Sequence, residues 1–257
     1  MKNKIKHPVG NSKIFLIKLF EGFISKVIFF FLTFIIKINK AESEIIISNA
    51  FFAPWKVDRL FFNFFIKVKK YTLLDIKRAY TLWYLSSSLK NIKGAILDVG
   101  CLQGGAGFLM SKANKKGNTF LIDSFEGIVE LAEEKEKFYN KDHFVFKEID
   151  QVKKNIKKLN LKNTKVVKSY FPKKFNKNIK KIKICHIDVN TFQSTKKSFL
   201  YVHKKLVKNG IIIFDDYGVY GNNNIKRFIN TISKNYNKHY QFIYNFFGQC
   251  ILIRKNY

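Results

Sequence analysis

From Gly94 onward, short apolar runs alternate with stretches whose apolar residues recur at helical spacing. Ala95–Val99, Thr119–Ile122, Lys165–Val167, Ile182–Ile187 and Ile211–Phe214 read as strands. Ala106–Lys115, Val145–Leu159, Thr195–Lys208 and Ile225–Tyr236 read as the helices between them, with Asn209-Gly210 as the stop signal of the third. Tyr240–Tyr244 and Gln249–Ile253 pair as a terminal hairpin. Strands alternating with helices predict a Rossmann-like α/β fold. Its sheet is mostly parallel, with a C-terminal antiparallel strand supplied by the hairpin.

The chain before Gly94 is organised differently. Residues 46–93 read as a helical lead-in, aromatic from Trp55 to Phe65 and helically periodic from Thr72 to Leu89. Within residues 1–45, Ile14 to Ile36 is mostly Ile, Leu, Phe and Val. Its longest unbroken apolar stretch falls short of the about 20 residues that span a bilayer. On a helical wheel Lys18, Glu21, Ser25, Lys26, Thr33, Lys37 and Lys40 share one arc, and Phe20, Phe23, Val27, Phe30, Phe31 and Phe34 occupy much of the rest. A basic strip against a phenylalanine face suits a helix in a membrane interface, and equally one packed on protein. Residues 14–40 are therefore a candidate for membrane-surface contact or for pairing with a second copy. No small-x-small cleavage site follows the apolar run.

The 257 residues allow one well-buried α/β domain with an appendage, 94–257 being the catalytic-sized part. A net charge of +30, from 48 basic and 18 acidic residues, would ordinarily suggest nucleic acid or an anionic membrane as partner. Lys, Ile, Asn and Phe are inflated together, as A/T-rich codons would produce, and the lysines are scattered. No nucleic-acid-binding signature is present, so no nucleic-acid partner is expected. Cys101, Cys185 and Cys250 show no metal or disulfide spacing, which favours a reducing, cytoplasmic setting, with a peripheral position at the inner face of the membrane if residues 14–40 meet lipid. His186 and His203 are too isolated to read as a zinc site.

Three motifs carry chemistry. The first is Asp98-Val99-Gly100-Cys101-Leu102-Gln103-Gly104-Gly105, at the end of the first strand and opening a helix. Glycines there permit a sharp turn and close backbone approach to a ligand. The acid-x-G-x-x-x-G-G spacing is wrong for a dinucleotide, and no P-loop lysine follows. It resembles motif I of class I methyltransferases, where this turn cradles the methionine end of S-adenosylmethionine; a tight turn without a ligand is the plainer reading. The second is Asp123-Ser124-Phe125-Glu126-Gly127, whose acid at a strand tip suits a ribose diol or, more simply, a helix cap. In the third, Asp188 ends one strand and Asp215-Asp216 ends the next. Three convergent carboxylates suit a hard divalent ion such as Mg²⁺, which would lower the pKa of an acceptor hydroxyl for a nearby carboxylate to deprotonate. Ordinary turn and capping chemistry is the competing explanation.

Taken together, Gly94 through Gly105, Asp123 to Gly127, His186-Ile187-Asp188 with Ser194-Thr195, and Asp215-Asp216-Tyr217-Gly218 resemble the macrocin O-methyltransferase family, from about Tyr71 to Arg254. The resemblance implies a class I methyltransferase fold and S-adenosylmethionine held by Asp98, Gly100, Gly104, Gly105, Asp123 and Ser124. It also implies Mg²⁺ on Asp188, Asp215 and Asp216, and Asp188 as the general base. The family's Ile-Asp-x-Asp-x-Tyr becomes Ile187-Asp188-Val189-Asn190-Thr191-Phe192 here, losing a charge and a hydroxyl. The leading expectation is O-methylation of a sugar, glycan precursor or other polyhydroxylated small molecule. A phenolic or lipid-linked acceptor at the membrane is the alternative, and a non-catalytic cofactor-binding or scaffold protein, suggested by Asn190, the weakest.

Overall fold

The computed structural model describes residues 53–128, 143–175, 177–218 and 223–256, together with residues 20, 22–24, 26–28, 30–31 and 34 near the N-terminus. The apolar runs form seven strands: β1 (Ala95–Val99), β2 (Thr119–Asp123), β3 (Thr164–Lys168), β4 (Ile182–Ile187), β5 (Leu206–Phe214), β6 (Tyr240–Tyr244) and β7 (Cys250–Arg254). They make one sheet in the order β3-β2-β1-β4-β5-β7-β6. β1 to β5 pair in parallel, and β7 runs against both β5 and β6. The α/β fold with a C-terminal antiparallel strand is thus the one expected. β1 and β4 are buried at every position, because helices cover both faces of a central parallel strand.

The helices are α1 (Pro54–Val57), α2 (Arg59–Val68), α3 (Ile76–Ser88), α4 (Gly105–Ala113), α5 (Ile149–Lys158), α6 (Phe192–His203) and α7 (Asn223–Asn235). On one sheet face, Phe61, Phe64 and Val68 of α2, Ala79 and Leu82 of α3 and Phe108, Leu109 and Met110 of α4 share a core with Ile96, Leu121, Ile184 and Ile213. On the other, Phe199 and Val202 of α6 and Ile225, Phe228, Ile229 and Ile232 of α7 pack on Leu97, Cys185, Ile212 and Leu252. The i, i+3, i+4, i+7 spacing in α7 puts all four apolar residues on the sheet side, while Lys226, Arg227, Asn230 and Thr231 stay in solvent.

Side-chain caps start α2 and α3. Asp58 accepts from Phe61 N at 2.9 Å and from Trp83 Nε1 at 3.0 Å, joining α2 to α3, and Asp75 accepts from Lys77 N and Arg78 N at the head of α3. Such a cap stabilises by about 0.5–2 kcal/mol.

Two helices differ from their sequence patterns, the one expected over 145–159 beginning only at Ile149. The helix expected over 195–208 ends at His203, and β5 begins at Leu206. Leu206 pairs with Ile182 and Ile211 with Ile184, so residues 207–210 bulge out of the ladder, with Asn209 at φ 57°. Asn209-Gly210 therefore kinks a strand and does not stop a helix. Pairing with β4, which no local pattern reports, decides the matter.

At the C-terminal edge, His203 Nδ1 lies 2.9 Å from both Tyr240 Oη and Arg254 Nη1. Burial, and then the Arg254 charge, push its pKa down from 6.5 to about 4. Between those values the unfolded chain binds a proton that the folded chain refuses. The stability this contributes is complete above pH 6.5 and is lost as pH falls through 4. Urea denaturation is expected to show stability declining from pH 7 to 4, and declining less in His203→Gln; equal slopes would refute the assignment.

Residues 1–53 and 54–257 form two compact units. In the first, the described residues between 20 and 34 are helical, and Phe20, Phe23, Phe30, Phe31 and Phe34 are all exposed. Lys18, Glu21, Ser25, Thr33, Lys37 and Lys40 of the expected basic strip lie outside the described residues. No helix among the described residues is long and apolar enough to cross a membrane.

Candidate active site

The strand order reverses between β1 and β4, and the crevice outside their carboxyl ends is where open α/β sheets take ligands. A cleft of about 470 Å³ lies there. Its floor runs from Asp123 and Ser124, past Val99 to Leu102, to His186, Asp188, Asp215 and Asp216, and Tyr71 to Leu74 with Arg78 form its other wall.

The glycine turn is locked by close approach. Gly100 sits at φ +87°, and a Cβ there would lie 1.9 Å from the Asp188 carbonyl oxygen. Gly104, at φ +91°, is the N-cap of α4, and a Cβ on Gly105 would meet the Tyr71 carbonyl oxygen at 2.5 Å. Of the turn's candidate residues, Gly100 lines the cleft. Gly104 and Gly105 stand behind its wall and let the Tyr71 segment come close.

Asp123 holds this end together. Its Oδ2 accepts from Leu102 N and its Oδ1 from Phe125 N, both at 2.8 Å. Burial raises its pKa, opposed by those two amides. Each oxygen keeps a lone pair for a ligand. The Ser124 hydroxyl serves its own turn, donating to Gly127 O and accepting from Glu126 N.

Asp98 is fully buried and does not line the cleft; its Oδ1 lies 2.8 Å from His186 Nδ1. Burial alone would discharge the His186 ring, but the bond to Asp98 overrides it and lifts the pKa to about 9.

At the far end, Asp215 Oδ2 accepts from Arg78 Nη1 at 2.5 Å and its Oδ1 from Gln249 Nε2 at 2.9 Å. Arg78 also donates through Nε to Asp75 and lies 3.6 Å from Asp216. Burial, then Asp215 and Asp216, push the Asp188 carboxyl well above the usual range, against the pull of His186 and Arg78. A ring nitrogen of His186 and carboxylate oxygens of Asp188 and Asp215 lie within 4.8 Å of one another. Asp216 borders the cleft but falls outside that group.

The arrangement joins a carboxylate suited to a vicinal diol to a crowded acid cluster, along one crevice at the switch point. A family model described as Macrocin-O-methyltransferase (TylF) matches residues 76–243, close to two thirds of the chain. The chain belongs to the macrocin O-methyltransferase family. Membership makes it an S-adenosylmethionine-dependent methyltransferase.

Solved structures agree on the fold of this methyltransferase. The O-methyltransferase NovP is similar over 72% of this chain and 83% of its own, with 18% identity and a TM-score of 0.63. CalS11, a calicheamicin methyltransferase, is similar over 76% and 93%, with 11% identity and a TM-score of 0.59. An O-methyltransferase from Bacillus cereus, solved with SAH, is similar over 77% and 91%, with 14% identity and a TM-score of 0.50. Comparison with curated protein sequences gives no match.

Sequence reasoning passed over Arg78, Gln249 and the place of His186. For His186 a signal existed: it precedes Asp188 by two residues, so a strand puts both on one sheet face. Arg78 and Gln249 reach the acids from 137 and 34 residues away in the chain, and no local pattern reports that.

Proposed function

We propose that this methyltransferase acts on a hydroxyl of a sugar or similarly polyhydroxylated metabolite, assisted by a divalent cation. The observation that carries the reading is one cleft with Asp123 at one end and Asp188, Asp215 and Asp216 at the other. NovP and the calicheamicin methyltransferase CalS11, both similar in fold, support an O-linked, sugar-like acceptor. Asp123 would grip the ribose diol of the cofactor, and the turn from Gly100 to Leu102 would hold its methionine end, with Asp98 fixing the floor beneath. S-Adenosylmethionine supplies an electrophilic methyl group on sulfur, and the protein's task is in-line positioning of the acceptor oxygen.

The carboxylates fit a cation. Burial, and then repulsion from Asp215 and Asp216, drives the Asp188 carboxyl upward, and Arg78 pairs with Asp215 and Asp216 among them. A divalent ion such as Mg²⁺ bound by these three would supply positive charge that lowers the pKa of an acceptor hydroxyl. With its neighbours offset, Asp188 is ionised and takes the hydroxyl proton as the methyl group is transferred. Tyr71 to Leu74 line the crevice beside these acids.

Calorimetry tests the cofactor end. Wild-type protein is expected to bind S-adenosylmethionine, and Asp123→Ala to bind it about 10- to 100-fold more weakly, the value of hydrogen bonds to a charged acceptor. Asp123→Asn keeps one acceptor oxygen and is expected to fall between them. Unchanged binding in Asp123→Ala, or none in folded wild-type protein, would refute the reading.

A further inference from the structure

The phenylalanine-rich segment near the N-terminus takes no part in the methyl transfer described above. The described residues between 20 and 34 are all helical, and eight of them are large apolar side chains, each between 40% and 68% exposed. At about 100° per residue these eight, from Phe20 to Phe34, fall within an arc of about 160°, and Gly22 and Lys26 lie outside it. Single apolar residues on a surface are ordinary. Eight on one face of a helix mark an interaction site.

Charge decides what covers that face. Residues 1–53 carry eight lysines, from Lys2 to Lys40, against Glu21, Glu42 and Glu44, a net charge of +5. The remaining +25 belongs to residues 54–257. Whatever its origin in codon usage, this charge acts on any partner. A second copy of the chain would meet the segment with charge of the same sign, which opposes close approach. A bilayer containing anionic lipid offers the reverse, with an apolar interior for the phenylalanines and a headgroup layer at about −30 mV for the lysines. Lysine stems can lie along apolar surface while their ammonium groups reach those headgroups.

Length decides the orientation. Lys26 and Lys37 bound a run of ten uncharged residues, half of the about 20 that cross a bilayer. No helix among the described residues is long and apolar enough to cross. An amphipathic helix of this kind lies in the surface plane, its apolar face sunk about 5–10 Å into the headgroup and acyl boundary.

We infer that the helix carrying Phe20 to Phe34 lies in the plane of an anionic membrane surface and holds the methyltransferase there. The inference does not depend on which hydroxyl is methylated.

The test is flotation of the full chain with vesicles of phosphatidylcholine alone, or with about one third phosphatidylglycerol. Wild-type protein is expected to partition onto the anionic vesicles at least about 10-fold more strongly, and to lose most of that advantage in high salt. Phe30→Ser combined with Phe34→Ser is expected to weaken partitioning about 10- to 100-fold, with circular dichroism and S-adenosylmethionine binding unchanged. Depth gives a second measurement. Cys101, Cys185 and Cys250 are buried, so a nitroxide attached at Phe31→Cys reports that position. It is expected to be more accessible to oxygen than to a water-soluble nickel chelate, and at Lys26→Cys the order reverses. Equal partitioning onto neutral and anionic vesicles, no partitioning by folded protein, or partitioning unchanged in the double variant would each overturn the proposal. So would a dimer in lipid-free buffer that the double variant dissociates and vesicles leave intact, which assigns the face to a second copy.

Discussion

Asp188→Asn is expected to lower methyl transfer by about 10²–10⁴-fold, the range for loss of a positioned general base, while S-adenosylmethionine affinity changes little. The substitution keeps the side chain's shape and leaves the Asp188 carbonyl, against which Gly100 closes, in place. It removes the proposed proton acceptor and one carboxylate of the proposed cation set. The raised pKa of Asp188 sharpens the expectation. Burial, then Asp215 and Asp216, disfavour its ionised form, which a bound cation would favour, so chelation is expected to reproduce much of the variant's defect. S-Adenosylhomocysteine release with a panel of hydroxylated sugars, alongside calorimetry, provides the measurement. Activity retained in Asp188→Asn would sink the base assignment.

The second large effect concerns the turn. Gly100→Ala is expected to destabilise the protein by about 2–6 kcal/mol and to weaken cofactor binding more than tenfold. A left-handed backbone costs a non-glycine residue about 1–3 kcal/mol, and forced overpacking costs about 1–3 kcal/mol more. The overlap is with backbone: a Cβ at 1.9 Å from Asp188 O cannot be absorbed by a side-chain rotation, so the tips of β1 and β4 must part. Gly218 is the control. It has φ +77°, but a Cβ added there would meet nothing within 4 Å among the described residues, so Gly218→Ala is expected to carry the conformational cost alone. Urea denaturation of the pair separates the two contributions. Equal losses would show that the turn is not locked on Asp188.

What could be read from the sequence alone was whatever depends on near neighbours in the chain. β1, β2, β4 and the core of β5 announced themselves because a strand buried on both faces must be apolar throughout. The turn from Asp98 to Gly105 and the acids at 123, 188, 215 and 216 were legible because strand tips in this fold face one edge, so motif order maps onto position. The macrocin O-methyltransferase resemblance rested on those same intervals, and the family match agrees with it.

Tertiary structure alone decided how these pieces are shared between ligand and scaffold. Asp98, expected to contact the cofactor, bonds His186 through Oδ1 because parallel pairing sets the two side by side in the sheet interior. At Gly104 and Gly105 the missing Cβ lets Phe108 and the Tyr71 segment come close. Arg78 becomes a counter-ion of Asp215 because α3 lies across the crevice, and Asn209-Gly210 kinks a strand because β4 offers a ladder. In each case the deciding interaction joins residues distant in sequence. Periodicity and spacing carry information along the chain, whereas charge pairing, close approach and ladder register depend on distance in space.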